Sequence, residues 1–395
     1  MSFLPNLRGA RVLLVSHELQ YSGAPLFLVE LGAEMQRSGA TVTVVTLGSR
    51  KHAAHLVLRR GFSLCAVEES FGEASRAQVI VANTAVVNTW VQEFIRREPS
   101  GGERIIWWIH EIDTDQYFTQ MEPSRQVKAV LFDSQASLEQ WRSAGLQLPS
   151  LTRVIHLSVI DAFIASADQA RFPYLRYRIL QRVGIGPSLL TREAIRRKLG
   201  VGQDDFLLTL FVNESPRKGQ ELFMRTVGRL LERRPTLPLK VLLAGFGVHD
   251  RRDFLNRLSP MERRATGGTL RTWYFMEDLR PLYAASDAYV MNSQGVGENF
   301  GRVTTEAMAF HLPVLGTNRG GTPEIVVDGV TGLLHPVGEV GQEQLAEHIQ
   351  RLVHDRELAR RMGLEGRKRV CEYFNNTRFY AELGPVLDAV LNHGA

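Results

Sequence analysis

The sequence predicts an α/β protein built from two doubly wound domains, each with its own parallel sheet. Short apolar and β-branched runs alternate with amphipathic helical patterns, and this alternation starts again in the second half of the chain. The length of 395 residues also suggests two or three domains. Continuous apolar strands separated by helices are typical of parallel sheets with helices on both faces.

The first domain is predicted from five strand candidates. They are "RVLLV" from Arg11, "TVTVVT" from Thr41, and the later runs "AQVIVAN", "RIIWWIH" and "VKAVLFDS". A helical pattern over residues 25–37 separates the first two, and a turn or helical segment follows each of the others. We therefore expect a doubly wound domain over residues 1–185.

The second domain begins with a charged helix, "TREAIRRKLG", from Thr191. The strand candidates "FLLTLFVN", "LKVLLAGFG", "LRTWYF" and "DAYVMNS" follow, with helical patterns between them. We place this domain at residues 186–375, and we expect residues 376–395 to form a helix that packs back towards the first domain. The segment "RFPYLRYRILQRVGIGPS" before Thr191 is either a linker or a basic amphipathic patch that faces an acceptor or a membrane.

The charge and composition are those of an ordinary globular protein. A formal charge of +5 suits anionic ligands or an anionic surface but requires neither, and the basic residues are scattered. Because no basic block and no recognition motif occur, we expect no nucleic-acid partner.

Cysteine use and hydropathy favour a cytoplasmic protein. The two cysteines, Cys65 and Cys371, lie far apart with no metal-binding spacing, which predicts neither a disulfide framework nor a metal site. No apolar run approaches the roughly 18 residues of a membrane span. Peripheral contact with a membrane stays open.

Ligands of open parallel sheets bind outside the carboxyl ends of the strands, near helix N-termini. Two such sheets in one chain predict a site in a central cleft between the domains. In the first domain, Gly23 in "YSGAPLF" precedes a helix and permits close approach of a ligand, although most such turns are simply turns.

In the second domain, "FVNESPRKGQELF" places Arg217, Lys218 and Gly219 after a strand, at the start of a helix. Two cations beside open N–H groups can hold a diphosphate through charge-assisted hydrogen bonds. A solvated basic turn explains them equally well. The pair of glycines in "LLAGFGVHD" is weak evidence of a dinucleotide site, because the third glycine of that motif is missing.

The stretch "GENFGRVTTEAM" sets two carboxylates, Glu298 and Glu306, on either side of a predicted helix N-terminus. Val303, Ala307 and Phe310 fall on one helical face, and Glu306 lies at its edge. A half-buried carboxylate needs a partner. For Glu306 this is either a ribose diol or an ion pair with Arg302, and for Glu298 we expect sugar hydroxyl groups.

These motifs resemble glycosyltransferase family 4, whose members have the GT-B fold of two Rossmann-like domains facing a central cleft. The resemblance is strongest in "NSQGVGENFGRVTTEAMAFHLPVLGTNRGGTPEIVVDGVTGLLHPVG". This segment has the family's two glutamates separated by seven residues, followed by its Pro-Val, Gly-Gly-x-x-Glu and Thr-Gly-Leu-Leu elements. Weaker similarity extends over most of the chain, from the Gly23 loop to Lys218.

The resemblance implies roles for individual residues. It implies that Glu306 binds the ribose of the donor, Glu298 its sugar, and Arg217 with Lys218 its diphosphate, so that Glu298 and the two cations take part in catalysis. It also implies that Phe300 and Gly301 offer backbone amides to the donor, and that Gly23 lines the phosphate side from the first domain.

The resemblance further implies that His110, in "WWIHE", acts beside the sugar and the acceptor; from the residues alone, a satisfied half-buried histidine is equally consistent. Two positions depart from the family pattern. The family commonly has an arginine where this chain has Asn213, and it often has Gly-Gly where this chain has Ser22 and Gly23.

The resemblance implies a retaining, metal-independent glycosyltransferase that needs no cofactor besides its donor. The donor would be a nucleotide-diphosphate sugar, with UDP as the expected nucleotide, and the acceptor a hydroxyl group of a glycan, a lipid or a small molecule. Two alternatives stay open, a non-catalytic subunit that binds a nucleotide sugar and another GT-B enzyme such as a nucleotide-sugar epimerase. The sequence identifies neither the acceptor nor the sugar.

Overall fold

A computed structural model describes most of the chain. The described residues are 3–4, 6–19, 23–48, 54–115, 122–159, 161–167, 171–173, 189–211, 216–246, 253, 256–259, 268–274 and 278–392. Contacts divide the chain into unit 1, Met1–Leu157 with Asn376–Ala395, and unit 2, Ser158–Asn375. The predicted boundary between residues 185 and 186 lies outside the described residues.

Unit 1 contains a parallel sheet of seven strands in the order β3-β2-β1-β4-β5-β6-β7. The strands are β1 (Arg11–Ser16), β2 (Thr41–Thr46), β3 (Ser63–Cys65), β4 (Val79–Asn83), β5 (Ile105–Ile109), β6 (Ala129–Phe132) and β7 (Leu151–Val154). The five predicted strands are confirmed. The sequence analysis missed β3 and β7, which are short and whose sequences contain polar residues.

The helices of unit 1 lie between these strands, and one more comes from the C-terminal segment. They are α1 (Gly23–Arg37), α2 (Ala54–Arg59), α3 (Ser70–Arg76), α4 (Asn88–Arg97), α5 (Gln135–Ser143) and α14 (Asn376–Leu391), with short 3-10 helices at Val67–Glu69, Ala85–Val87, Pro99–Arg104 and Glu122–Gln126. On α14, Phe379 packs edge-on against Phe27 of α1, with ring centroids 5.9 Å apart.

Unit 2 contains a parallel sheet of six strands in the order β12-β11-β10-β13-β14-β15. These strands are β10 (Phe206–Phe211), β11 (Leu239–Phe246), β12 (Leu270–Tyr274), β13 (Ala288–Met291), β14 (Val314–Thr317) and β15 (Gly332–His335). Two further strands, β8 (Arg171–Pro173) and β9 (Leu189–Thr191), form a small antiparallel pair.

The helices of unit 2 follow the same alternation. They are α6 (Asp161–Ala167), α7 (Arg192–Leu199), α8 (Gln220–Arg233), α9 (Arg280–Ala285), α10 (Arg302–Ala309), α11 (Thr322–Ile325), α12 (Gly338–His354) and α13 (Arg356–Tyr373), with a 3-10 turn at Pro216–Lys218. Among the described helices of the whole chain, none has the length and the apolar character needed to cross a bilayer.

The sheet of unit 2 is buried on both faces. Along β10, Phe206, Leu208 and Leu210 contribute to one hydrophobic cluster, whereas Leu207 contributes to a second. Successive side chains of a strand point to opposite faces, so two covered faces require apolar residues at nearly every position. This explains why the strand candidates are continuous apolar runs.

Candidate functional site

The two sheets share one strand order, and this order locates a crevice in each. Counted within its unit, each sheet runs 3-2-1-4-5-6, and unit 1 adds a seventh strand. The direction of winding reverses between the first and fourth strands, which are β1 and β4 in unit 1 and β10 and β13 in unit 2. Ligands of such sheets bind beyond the carboxyl ends of these two strands.

The crevice of unit 2 contains an ion pair between Lys218, after β10, and Glu298, after β13. The lysine Nζ lies 2.5 Å from the glutamate Oε2, although the two residues are 80 positions apart. Ser293 donates its hydroxyl to the same oxygen over 2.8 Å. About a quarter of the lysine side chain and a fifth of the glutamate side chain are exposed, so the pair is accessible.

Glu298 is ionised in this arrangement. Burial alone would raise its pKa, but the nearby Lys218, Ser293 and Arg217 outweigh burial and lower the pKa below its usual value. A cation and a carboxylate are therefore held together in a partly exposed position. Such a pair can donate hydrogen bonds to an anion and accept them from hydroxyl groups.

Close backbone packing fixes the loop that contains Glu298. Gly320 has a φ of +64°, and a Cβ atom there would lie 2.2 Å from the backbone oxygen of Glu298. The next residue, Gly321, donates its N–H to that same oxygen over 2.8 Å. Only glycine permits both this backbone conformation and this approach. The two glycines of "NRGGTPE" therefore position Glu298.

Arg217 ties the loop after β10 to the loop after β13. Its carbonyl oxygen accepts a hydrogen bond of 2.8 Å from the backbone of Gln294. Its Nη2 atom lies 3.5 Å from the carbonyl oxygen of Gly297. The guanidinium thus lies beside the Glu298 loop, so Arg217 and Lys218 both belong to this crevice.

Helix α10 begins beside the same ion pair. Gly301, with a φ of +79°, caps its N-terminus without a side-chain hydrogen bond. A Cβ atom at position 301 would lie 2.9 Å from Cγ of Glu298, so the helix begins in close contact with the carboxylate. Phe300 is buried and packs against Phe374. Gly301, which is partly exposed, therefore offers backbone to a ligand, whereas Phe300 is buried as a whole.

Glu306, one turn further along α10, is bound by a buried tyrosine. Its Oε2 accepts a hydrogen bond of 2.9 Å from the hydroxyl of Tyr283. Its Oε1 lies 4.0 Å from Nη2 of Arg302, which is the limit of an ion pair. The ion pair between Glu306 and Arg302 is therefore present, but at the longest distance at which two such groups count as an ion pair. It does not exclude the ribose as a second partner of Glu306.

Glu306 and Glu298 both lie near Tyr289 of β13. Burial, and then the charges of the two carboxylates, raise the pKa of Tyr289 well above its usual value of about 10. Predicted donor-site residues from two separate segments therefore belong to one region of unit 2. The helical pattern predicted one apolar face of α10, but Thr304 and Thr305 are buried as well, so the helix is covered on more sides than the pattern indicates.

The two remaining predicted site residues, Gly23 and His110, lie in unit 1. Gly23 is exposed and begins α1, the helix that follows β1. Ser22, the first of the two departures from the family pattern, lies outside the described residues. The second departure, Asn213, is also outside them.

His110 lies directly after β5 and is almost completely buried, with 7% of its side chain exposed. Its Nδ1 lies 2.6 Å from Oδ2 of Asp133, and its Nε2 lies 2.8 Å from Oδ1 of Asn83. The other carboxylate oxygen of Asp133 accepts a hydrogen bond from the indole of Trp108. Both ring nitrogens of His110 therefore have partners inside the protein.

A strained residue that the sequence did not predict follows Asn83, the partner of His110. Thr84, directly after β4, has φ 84° and ψ 158°, a conformation that is almost confined to glycine. Backbone hydrogen bonds to Trp108 and from the Trp107 indole hold it, and its hydroxyl lies 3.1 Å from Nδ1 of His17. Strained backbone persists only where the surroundings fix it, and it is common at functional sites.

The sequence contains at most weak signals for Asn83, Asp133 and Tyr283, which were not predicted as site residues. Asn83 ends the predicted strand "AQVIVAN", and Asp133 follows the strand in "VKAVLFDS", so both lie at the edge of the sheet where ligands bind. Nothing in the sequence distinguishes Tyr283 from other buried aromatics. Across the described ranges, no cluster of three or more His, Cys, Asp or Glu side chains could hold a metal ion.

Two family models match consecutive parts of this chain. The model described as glycosyl-transferase family 4 matches residues 8–171, and the model described as glycosyl transferases group 1 matches residues 191–369. Together they span most of the sequence. The first match contains Gly23 and His110, and the second contains the ion pair and Glu306.

Curated relatives from Bacillus subtilis align with part of the chain. YtcC is 30% identical over 251 residues, which are 62% of this chain and 60% of YtcC. EpsD is 27% identical over 205 residues, which are 52% of this chain and 51% of EpsD. The chain thus spans about half to three fifths of the length of these relatives.

A solved structure resembles the whole chain. HepE from Anabaena, solved in complex with UDP and glucose, has a TM-score of 0.77 and covers 96% of this chain and 100% of HepE. The two sequences are 19% identical. A likeness at this identity shows that the folds agree.

Proposed function

Because this chain belongs to glycosyltransferase family 4 and has the GT-B fold, we propose that it transfers a sugar from a nucleotide-diphosphate sugar to an acceptor hydroxyl. The single observation that carries the proposal is the partly exposed ion pair of Lys218 and Glu298 at the crevice of unit 2. It provides a cation for a diphosphate and an anion for sugar hydroxyls in one place.

The diphosphate would bind between the two cations and the start of α10. Lys218 and Arg217 supply the charge, and the N-terminus of α10 supplies the positive end of the helix dipole beside Gly301. A diphosphate that approaches Lys218 competes with Glu298 for its hydrogen bonds. Glu298 would then turn its carboxylate to the hydroxyl groups of the donor sugar.

The ribose would bind at Glu306. A carboxylate accepts hydrogen bonds from two neighbouring hydroxyl groups, and Glu306 is partly exposed on the helix that begins at the proposed diphosphate site. We propose UDP as the nucleotide because HepE, a protein with the same fold, was solved with UDP and glucose.

Transfer would proceed with retention at the anomeric carbon and without a metal ion. The bond between the anomeric carbon and the diphosphate oxygen breaks, and the acceptor oxygen forms its new bond on the same face of the sugar. The hydroxyl proton of the acceptor passes to the leaving phosphate oxygen. Fixed cations and N–H groups stabilise the charge that develops on the diphosphate, and such electrostatic preorganisation is the largest contribution in many enzymes.

Unit 1 would contribute Gly23 on the phosphate side of the donor and His110 beside the sugar and the acceptor. Because both ring nitrogens of His110 have protein partners, we assign it a structural role beside the acceptor rather than that of a general base. The acceptor would be a hydroxyl group of a glycan, a lipid or a small molecule. We propose a cytoplasmic location, since neither cysteine forms a disulfide.

A thermal-shift screen tests the proposal. UDP, GDP, ADP and UDP-glucose are added to the full-length protein, and a ligand that binds only the folded state raises its melting temperature. We expect UDP to produce the largest shift of the three free nucleotides, and Glu306→Ala to remove most of it. Donor binding without transfer or donor hydrolysis would instead support the non-catalytic subunit. No shift with any nucleotide would contradict the proposal.

A further inference from the structure

Tyr283 lies at the centre of an aromatic cluster beneath α10. Its ring is fully buried and contacts four other rings, with centroids between 4.8 and 6.1 Å away. Those rings belong to Phe163, Phe211, Tyr289 and Phe310. Contacts on this many sides leave the ring few rotamers, so its hydroxyl has a fixed position.

That hydroxyl points at the carboxylate that we assign to the ribose. It lies 2.9 Å from Oε2 of Glu306 and 3.2 Å from the carbonyl oxygen of Val303. Burial, and then the charge of Glu306, raise the pKa of Tyr283 well above about 10, so the hydroxyl keeps its proton and donates.

Glu306 thus has one oxygen bound by a rigid donor, while its other oxygen lies at the longest ion-pair distance from Arg302. Loss of the tyrosine hydroxyl would remove a contact from a fixed donor, and the glutamate side chain could then move towards the arginine on the same helix. A side chain held in its binding rotamer avoids the entropy cost of ordering when the ligand arrives.

We propose that Tyr283 is a positioning residue for donor binding, because its hydroxyl fixes the Glu306 carboxylate in the orientation that receives the ribose. This inference rests on the proposed function. Tyr283 would contact no substrate itself and would act on donor binding through Glu306. The effect should be on donor affinity, since the ribose lies away from the bond that breaks.

The test variant is Tyr283→Phe, which keeps the ring and its packing and removes one hydroxyl. We expect the dissociation constant for UDP, measured by calorimetry, and the KM for the donor each to rise about three- to tenfold, the range expected from freeing one ordered side chain. We expect kcat to change less than twofold.

A matched control is Tyr289→Phe. Tyr289 belongs to the same cluster and is equally buried, but its hydroxyl oxygen accepts a hydrogen bond from the backbone of Phe211. This variant should lower stability without changing the affinity for UDP. A merely structural role of Tyr283 would make the two variants behave alike.

A double-mutant cycle with Glu306→Ala completes the test. If Tyr283 acts through Glu306, then Tyr283→Phe weakens UDP binding in the wild type and adds no further loss in the Glu306→Ala background. Unchanged UDP affinity in Tyr283→Phe, or a loss of equal size in both backgrounds, would overturn the inference. Failure of the wild-type protein to bind any nucleotide would instead contradict the proposed function.

Discussion

The two sheets have the same strand order, yet their crevices contain different chemistry. In unit 2, charged side chains meet at the crevice and remain partly exposed, as the pair of Lys218 and Glu298 does. In unit 1, polar side chains at the carboxyl ends of β4, β5 and β6 bind one another: His110 contacts Asp133 and Asn83 and is nearly buried. The strand order determines where a site can form, and a few loop residues determine what it can bind.

The two crevices also differ in which residues adopt a positive φ. The positions with positive φ beside the ion pair of unit 2 are all glycines, namely Gly219, Gly297, Gly301 and Gly320. The position after β4 in unit 1 is Thr84, which lacks the freedom of glycine. At these described positions beside the ion pair, glycine allows positive φ without strain, whereas unit 1 maintains a strained residue through its hydrogen bonds.

Removal of the cation from the charged crevice should lower the rate of sugar transfer more than any other change. Lys218→Ala removes the cation that we assign to the diphosphate, and we expect kcat/KM for sugar transfer to fall about 10²- to 10³-fold, as when a preorganised donor is removed from an active site. The fold should remain intact, although the melting temperature should fall, because the largely buried carboxylate of Glu298 loses the cation that offsets its burial.

Lys128→Ala provides the matched control. Lys128 also pairs with a glutamate, Glu103, over 2.9 Å, but it precedes β6 and so lies at the amino end of the sheet of unit 1. We expect this variant to retain activity. Near-normal transfer by Lys218→Ala would remove the assignment of the diphosphate to unit 2.

A change of pH should affect the stability of unit 2 through a buried histidine outside the crevice. Burial lowers the pKa of His335, at the end of β15, to about 4, and its Nε2 has no hydrogen-bond partner among the described residues. In the unfolded chain a histidine has a pKa of about 6.5. As the pH falls from about 6.5 to 4, the unfolded state therefore gains a proton that the folded state does not.

We expect the free energy of unfolding to decrease by up to about 1.4 kcal/mol per pH unit over this window, and by about 3 kcal/mol in total. Glu298 should remain ionised, because its pKa is lowered. Denaturant unfolding of the wild type and of His335→Gln between pH 7 and 4.5 measures the difference. Equal pH dependence in the two proteins would contradict the assignment to His335.

The smallest effect tests the strain in unit 1. Thr84→Gly and Thr84→Ala both remove the hydroxyl that contacts His17, but only glycine adopts the φ of this position without cost. We expect the glycine variant to be more stable than the alanine variant by about 1 kcal/mol, as measured by denaturant unfolding. An alanine variant of equal or greater stability would mean that the backbone relaxes at Thr84.

Much of the architecture follows from periodicity. The buried strands of both sheets are continuous apolar runs, so β1, β2, β4 and the central strands of unit 2 could be predicted from the residues alone. β3 and β7 could not, because strands of three or four partly polar residues contain no clear period. The glycines around Glu298 indicated a tight loop but not its partner at Gly320.

Candidate site residues could be selected from the sequence, but the contacts between distant side chains could not be predicted. The sequence predicted that Lys218 and Glu298 serve one ligand, but not that they pair with each other across 80 positions. Likewise, Tyr283 reaches Glu306 across 23 positions, and neither residue has a pattern that indicates the other. Side-chain partners of this kind depend on packing that no local pattern contains.

The division of the chain between the two units has a practical consequence. Unit 1 is formed by two chain segments, whereas unit 2 is one uninterrupted segment whose first and last residues pair: Val159 donates its N–H to Phe374 over 2.8 Å and bridges Asn375. Unit 2 is thus an insertion with adjoining ends, of the kind that can be excised as a single recombinant fragment. Residues 158–375 would then offer the charged crevice of unit 2 to nucleotide titration and isotope labelling, without unit 1.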